Sequence, residues 1–555
     1  MTVQRFQFQP PPRTTRATKS RVELFPMNRG FNPSIDALRL ERGEASFIEN
    51  MHLNEGYITP RSGLSFKDDP SGTRCDHAAR TFDTVNERFV TINNTNAYIN
   101  ASVNLFSFTT LSGPTLAAVN VLSVGQNQYW DSTNIYDAAT RQNLFVFTNG
   151  SNAANHPMTL STDGSSYITL DSFLSSGESR AHLVESFDDR LVFFNSVDSK
   201  GTLNPTRVRW SVRGNPSDLS NPGAGFEDLF DMAGAGTALV AEEGRLLLMS
   251  DSEIWQATPR RDAFAFEFDV LDKSIGCQIP RSVTKTPAGV FFLSDGLALY
   301  RVAGSVVRPL SRKINEFIQE KINNLDHIWG AYNSANRSFW LFFGTDARGV
   351  TTNGIDQAIE IYIDTLEPQN NGSDDFEFVF HSFNNFSLSA GAQFWGSGDW
   401  TSGSKGQSSL CAVSSTGSVL QFRSDQTTDS GSTFASRWQS PKMKAKDPNT
   451  KEAINEAWFD TGMEPIQGVA PAFSSQTATL EFFTSIDQGA TYTNVGSVSI
   501  NTIDSLNTTS KFTTAFLPIT PQSTQHPQFE IRVLDGSRPR ISATRIALKQ
   551  YTGRF

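Results

Sequence analysis

The residues with the most chemistry in reach are carboxylate pairs. Asp188-Asp189, Glu242-Glu243 and Asp374-Asp375 each set two acids side by side. Two carboxylates can serve as acid and base across a glycosidic bond. Adjacent residues of a strand point to opposite faces, however, so a neighbouring pair is not by itself such a couple. Each pair therefore reads as a solvated turn. The seven histidines, His52, His77, His156, His182, His327, His381 and His526, are scattered and form no HxH, HxxxH or HExxH. Metal ligation needs closer spacing than this. The cysteines, Cys75, Cys277 and Cys411, are three, far apart and without CxxC, which predicts free buried thiols and folding in a reducing cytoplasm. No GxSxG occurs, and no phosphate-cradling glycine motif stands at a strand–helix junction. The reading is of no enzyme, with no catalytic, cofactor-binding or metal residue assigned and no cofactor.

One further segment, Ser485-Ile486-Asp487-Gln488-Gly489-Ala490-Thr491-Tyr492, resembles the Asp-box of sialidase-like propellers. That motif closes a hairpin and is not catalytic, so a turn is expected here. Tryptophans that could stack on sugars, such as Trp130, Trp210, Trp255, Trp329, Trp340, Trp395 and Trp400, lie mostly in apolar runs and read as core.

The elements that would hold such residues are strands. Apolar runs recur as Phe89–Ile92, Leu144–Phe147, Leu191–Phe194, Leu246–Met249, Val290–Leu293, Phe339–Phe343 and Leu410–Val413. Each is followed by a Gly/Asp/Asn turn and a second strand. A pitch of roughly 45–55 residues, with a longer last step of about 70, suits the blades of a β-propeller. Asp295-Gly296 between two apolar strands is a hairpin signal. The 43 phenylalanines among 555 residues favour half-buried strands over helices. One helix is predicted, Arg312 to Ile322, with Ile314, Phe317, Ile318 and Ile322 on one face.

The fold class expected is all-β. A propeller of about six to eight blades spans 76–433 and a β-sandwich-like domain spans 434–555. An extended basic, Pro-rich arm covers 1–30, and an irregular segment, 31–75, joins it to the propeller. The arm carries Arg5, Arg13, Arg16, Lys19 and Arg21 and no acid before residue 22. It suits an acidic surface of a neighbouring subunit. The net charge of −10 argues against an ordinary basic nucleic-acid binder. It is compatible with a channel whose lining repels phosphate and lets DNA slide. No run of apolar residues is long enough to span a membrane as a helix.

Several segments in order resemble the tail nozzle family of short-tailed bacteriophages, also called tail tubular protein B or head-to-tail stabilisation proteins. Asn32-Pro33-Ser34, Gly43-Glu44, Glu49-Asn50, Gly56-Tyr57 and Arg61-Ser62-Gly63 are similar to that family's opening. Arg209-Trp210-Ser211 with Gly214-Asn215-Pro216 resembles one of its blades. Ser274-Ile275-Gly276-Cys277, Pro280-Arg281-Ser282-Val283 and Phe292 to Gly296 resemble another passage. Ser436-Arg437-Trp438 with Ser440-Pro441 resembles the start of its C-terminal domain. The resemblance implies a structural virion protein made in the host bacterial cytoplasm. It implies a homo-oligomer, a hexamer, that docks on a phage adaptor or connector protein and carries tail fibre or needle proteins. DNA would pass through its lumen without sequence-specific binding during ejection. The alternative is a propeller glycosidase or depolymerase acting on host surface glycans, which predicts carboxylates and aromatics clustered on one face. A receptor-binding adhesin would show shorter trimeric repeats, and none is present.

Overall fold

In the computed structural model the described residues run from 20 to 551. The stretches 69–74, 83–86, 94–96, 101–107, 113–129, 151–155, 162–164, 261–263, 346–353, 369–375, 396–407, 424–427, 444–450, 464–476, 502–512 and 534–538 are left aside, with some single positions and pairs. Among the described residues, seven four-stranded antiparallel sheets follow one another along the chain. The first four begin with the strands Cys75–Phe82, Asp131–Asp137, Glu178–Phe187 and Gly236–Glu242. The last three begin with Ile279–Thr286, Asn324–Asn333 and Leu388–Trp395. These first strands lie side by side in order, and Leu388–Trp395 lies against Cys75–Phe82, so the circle closes. The protein is a seven-bladed β-propeller with a β-sandwich beside it.

Each of the seven apolar runs is the second strand of its blade. A second strand is covered on both faces by the neighbouring blades. It therefore reads as a continuous apolar run, whereas outer strands alternate. Gly289–Leu293 and Ser338–Gly344 are buried along their whole length, while Phe266–Asp272, an outer strand, alternates in part. The long last interval holds no extra blade among the described residues. The sixth blade instead carries the turn Ile363–Thr365 and the small hairpin Glu367–Pro368/Phe376–Glu377 before its fourth strand, Phe380–Phe383. The helix Arg312–Lys321 forms as expected, with Ile314, Phe317, Ile318 and the following Ile322 buried.

The N-terminal strands do more than join an arm to a ring. Gly63–Asp68 pairs with Val419–Arg423 as the fourth strand of the seventh blade, so both ends of the propeller are held in one sheet. Ser20–Pro26 pairs with Pro539–Tyr551, Met51–Asn54 and Tyr57–Pro60 extend the same sheet, and Phe47–Glu49 pairs with Ser436–Gln439 in the facing sheet. Residues 1–19, most of the expected arm, lie outside the described residues. The two sheets of the sandwich meet through rings: Phe459 stands edge-on to Phe482 at 5.6 Å and Phe25 to Phe529 at 5.3 Å.

A buried joint ties sandwich to propeller. Arg61 is 0% exposed, and its guanidinium lies over Phe434 at 3.8 Å and Phe386 at 4.5 Å. It donates twice to Asp429, once to Asn50 Oδ1 at 3.1 Å and once to the Asn384 carbonyl at 3.3 Å. Asn50 in turn donates to the Ala435 carbonyl at 2.8 Å, Ser436 Oγ donates to the Asn50 carbonyl at 3.0 Å, and Arg437 pairs with Glu49 at 2.7 Å. Asn50 holds a positive φ of 55°, which asparagine tolerates better than most residues. Beside this joint, Glu360 of the sixth blade accepts from His52 of the strand Met51–Asn54 at 2.6 Å.

Candidate functional site

First strands line the propeller axis, and side chains two apart on a strand share a face. The axis therefore collects every second residue of seven distant segments. They surround a cavity of about 500 Å³. Among its lining residues are His77 of the first blade, Asp131 of the second, Glu185 of the third, and Arg281 and Lys285 of the fifth.

The carboxylates bind across the seams between blades. Asp131 Oδ2 accepts the Val184 N–H of the next blade at 2.9 Å, and its Oδ1 accepts the Ser132 N–H at 3.0 Å. Glu185 Oε1 accepts the Thr133 hydroxyl of the preceding blade at 2.9 Å and the Ser186 N–H at 2.8 Å. Other polar links tie blades together, one of them between blades that are not neighbours. His77 Nε2 lies 2.8 Å from Ser132 Oγ, Asn134 donates to the Arg80 carbonyl at 2.8 Å, and Arg281 donates to the Ser389 carbonyl of the seventh blade at 3.0 Å.

The cavity also perturbs these groups. Burial pushes the Asp131 carboxyl up to about 7, the Glu185 charge adds to the rise, and the Val184 and Ser132 N–H groups oppose it. Burial raises Glu185 too, against its hydrogen bonds from Ser186 and Thr133 and the Lys285 charge. Burial lowers the His77 imidazole to about 3, with the Arg281 charge adding to the effect. The Asp131 carboxyl is thus shifted toward its protonated form at neutral pH, and the His77 ring toward its neutral form. An acid poised near neutrality beside a second carboxylate can move a proton to or from a bound molecule.

The residues singled out from the sequence lie elsewhere. Asp188 and Asp189 take positive φ of 51° and 57° in the hairpin turn of the third blade, where Arg213 pairs with both. Glu242 and Glu243 sit at the hairpin turn of the fourth, and Glu242 pairs with Arg245. Asp374-Asp375 lies outside the described residues. The described residues from Ser485 to Tyr492 form the expected turn. Asp487 accepts from Ser485 Oγ at 2.8 Å and from the Thr491 N–H at 2.9 Å, and Gly489 N–H donates to Ser485 Oγ at 2.8 Å. Cys277 and Cys411 are buried thiols, and burial pushes Cys277 up to about 12. Trp130 and Trp329 reach the cavity but are only 3% and 8% exposed. Trp329 stacks on Phe342 at 4.6 Å and Trp130 packs on Phe147 at 5.6 Å, as core rings do.

The cavity set was not singled out from sequence. His77, Asp131, Glu185, Arg281 and Lys285 share no short spacing, because ring closure alone brings them together. Their only linear signal is a polar residue in the strand just ahead of an apolar run.

No family model matches the sequence, and no curated protein does. Similar solved structures exist. The exo-β-1,3-galactanase of Phanerochaete chrysosporium with β-1,3-galactotriose is 10% identical at a TM-score of 0.26, covering 89% of this chain and 100% of that one. The same enzyme with galactose is 9% identical at 0.26, covering 88% and 100%. The N-terminal domain of Nup159 is 7% identical at 0.33, covering 68% and 97%. The expectation that the chain is no enzyme is corrected here, since two of these three structures are of a glycoside hydrolase. A likeness at these scores concerns fold alone, so any chemistry has to be argued from the cavity itself.

Proposed function

We propose that the chain is a subunit of the nozzle ring of a short-tailed phage tail. It would continue the DNA channel below the adaptor or portal and anchor fibres or a needle for ejection. The observation that supports this is the buried joint. Glu49, Asn50 and Arg61 from the family-like opening meet Ser436 and Arg437 from the family-like start of the C-terminal domain in one hydrogen-bonded cluster. Residues that resemble the family in two distant places thus serve a single contact. The DNA passage would run between subunits. The cavity on the propeller axis, at about 500 Å³, is far too small for a duplex. The test is electron microscopy of the purified chain, alone and with the connector of a short-tailed phage. Closed rings with a central hole are expected. A discrete monomer in both samples overturns the proposal.

A second reading is carried by the cavity: an acid–base site that cleaves glycans, with Asp131 as proton donor and Glu185 as its partner carboxylate. Two acids with raised pKa values in one cavity support it. The two readings are compatible, since a ring subunit can carry a site on its own propeller axis. Asp131→Asn should lower release of reducing sugar from surface polysaccharide by about 10²–10⁴-fold. The absence of any release by the parent chain, across a panel of acidic and neutral polysaccharides, sinks this reading.

A further inference from the structure

We infer that the axial cavity binds an acidic sugar, with the sugar carboxylate held by Arg281 and Lys285 and its hydroxyls turned toward Asp131 and Glu185. This deepens the second reading and rests on the cavity being its ligand site, but not on bond cleavage.

The lining brings cationic and anionic side chains into one cavity. Arg281 and Lys285 are four apart on the strand Ile279–Thr286, so both face the cavity from the fifth blade. Asp131 and Glu185 face it from the second and third blades. Guanidinium and ammonium groups together favour a carboxylate, and a guanidinium can grip one in a planar fork. The carboxylates of the second and third blades accept from hydroxyl donors and repel a second anionic group. A ligand anionic at one end and hydroxylated at the other satisfies both sets. A volume of about 500 Å³ suits one or two sugar rings.

A second observation also points to a ligand. Trp130 is 3% exposed and lines the cavity, yet its indole N–H has no hydrogen-bond acceptor in the protein. A buried donor without a partner is costly, and since the nitrogen is closed to solvent, a hydroxyl oxygen reaches it only with a small shift of the lining around Trp130.

The experiment is calorimetric titration of the full chain with galacturonate, digalacturonate and neutral galactose at pH 7. Saturable binding of an acidic sugar, at least tenfold tighter than galactose, is expected. Lys285→Gln should weaken it about tenfold, the size of one lost charge-assisted hydrogen bond. Trp130→Phe keeps the buried ring, removes only the donor, and should weaken it several-fold. Circular dichroism melting of each variant confirms that it is folded. No saturable binding of either acid, equal binding of galactose, or binding indifferent to Lys285→Gln in a folded protein overturns the inference. Binding that obeys these variants with no sugar released supports the inference while removing the hydrolytic reading.

Discussion

Arg61→Ala should destabilise the protein by about 3–5 kcal/mol, the usual cost of removing one partner from a buried ion pair. The guanidinium is wholly buried and sandwiched between Phe386 and Phe434. Alanine removes the charge opposite Asp429, whose side chain also accepts the Leu64 N–H at 3.1 Å. It takes a donor from the Asn384 carbonyl and from Asn50 Oδ1, which keeps the Asn384 N–H at 2.9 Å, and leaves a void beside two rings. Lysine would not repair this, because it lacks the planar fork that meets Asp429 twice. The residue sits between strands of the sandwich and the strand that completes the seventh blade, so both parts should loosen together. Denaturant titration followed by tryptophan fluorescence and far-ultraviolet dichroism measures this. A shift of both midpoints worth less than about 1 kcal/mol would show that the joint is not the energetic link claimed for it.

What was legible in the sequence was what is local. A second strand buried on both faces must be apolar throughout, so Val290–Leu293 and its six counterparts announce themselves without knowledge of their partners. The helix Arg312–Lys321 carries its own period, and Asp487 makes its turn with residues two to four positions away. What was not legible depends on closure. Gly63–Asp68 looks like a short local strand, and nothing nearby tells that its partner is Val419–Arg423. Ser20–Pro26 follows a basic, proline-containing stretch, and only pairing with Pro539–Tyr551 gives it a sheet. The cavity residues are the extreme case. Asp131 and Glu185 become neighbours in function only when their strands stand side by side round the axis. Adjacent acid pairs drew attention because they are adjacent, and adjacency in a strand separates side chains.

The largest electrostatic effect outside the Arg61 joint is expected at Glu360. Its carboxylate is 0% exposed and accepts from His52 Nδ1 at 2.6 Å, Ser338 Oγ at 2.7 Å, the Tyr362 hydroxyl at 2.8 Å and Trp340 Nε1 at 3.1 Å. Burial alone would raise its pKa, but the His52 charge and these hydrogen bonds outweigh that and hold it below the ordinary value of 4.5. A carboxyl depressed in the folded state stabilises it above the unfolded pKa, and that contribution fades as pH falls from about 4.5 through the folded value. Glu360→Gln keeps the shape but offers one acceptor where there were two and removes the carboxylate that His52 Nδ1 bonds. It should cost about 3–5 kcal/mol at pH 7 and progressively less as pH falls below about 4.5 through the folded value, where the parent loses the same interaction. Replacing both partners, as Glu360→Gln with His52→Phe, should recover part of the loss, because no buried ring nitrogen is then left without its carboxylate. A cost that stays constant from pH 7 down through the acid range, with no recovery in the double variant, would mean that Glu360 acts through its volume alone. His52 belongs to a sandwich strand and Glu360 to the sixth blade, so the coupling energy of this cycle also measures how firmly the two bodies are fastened.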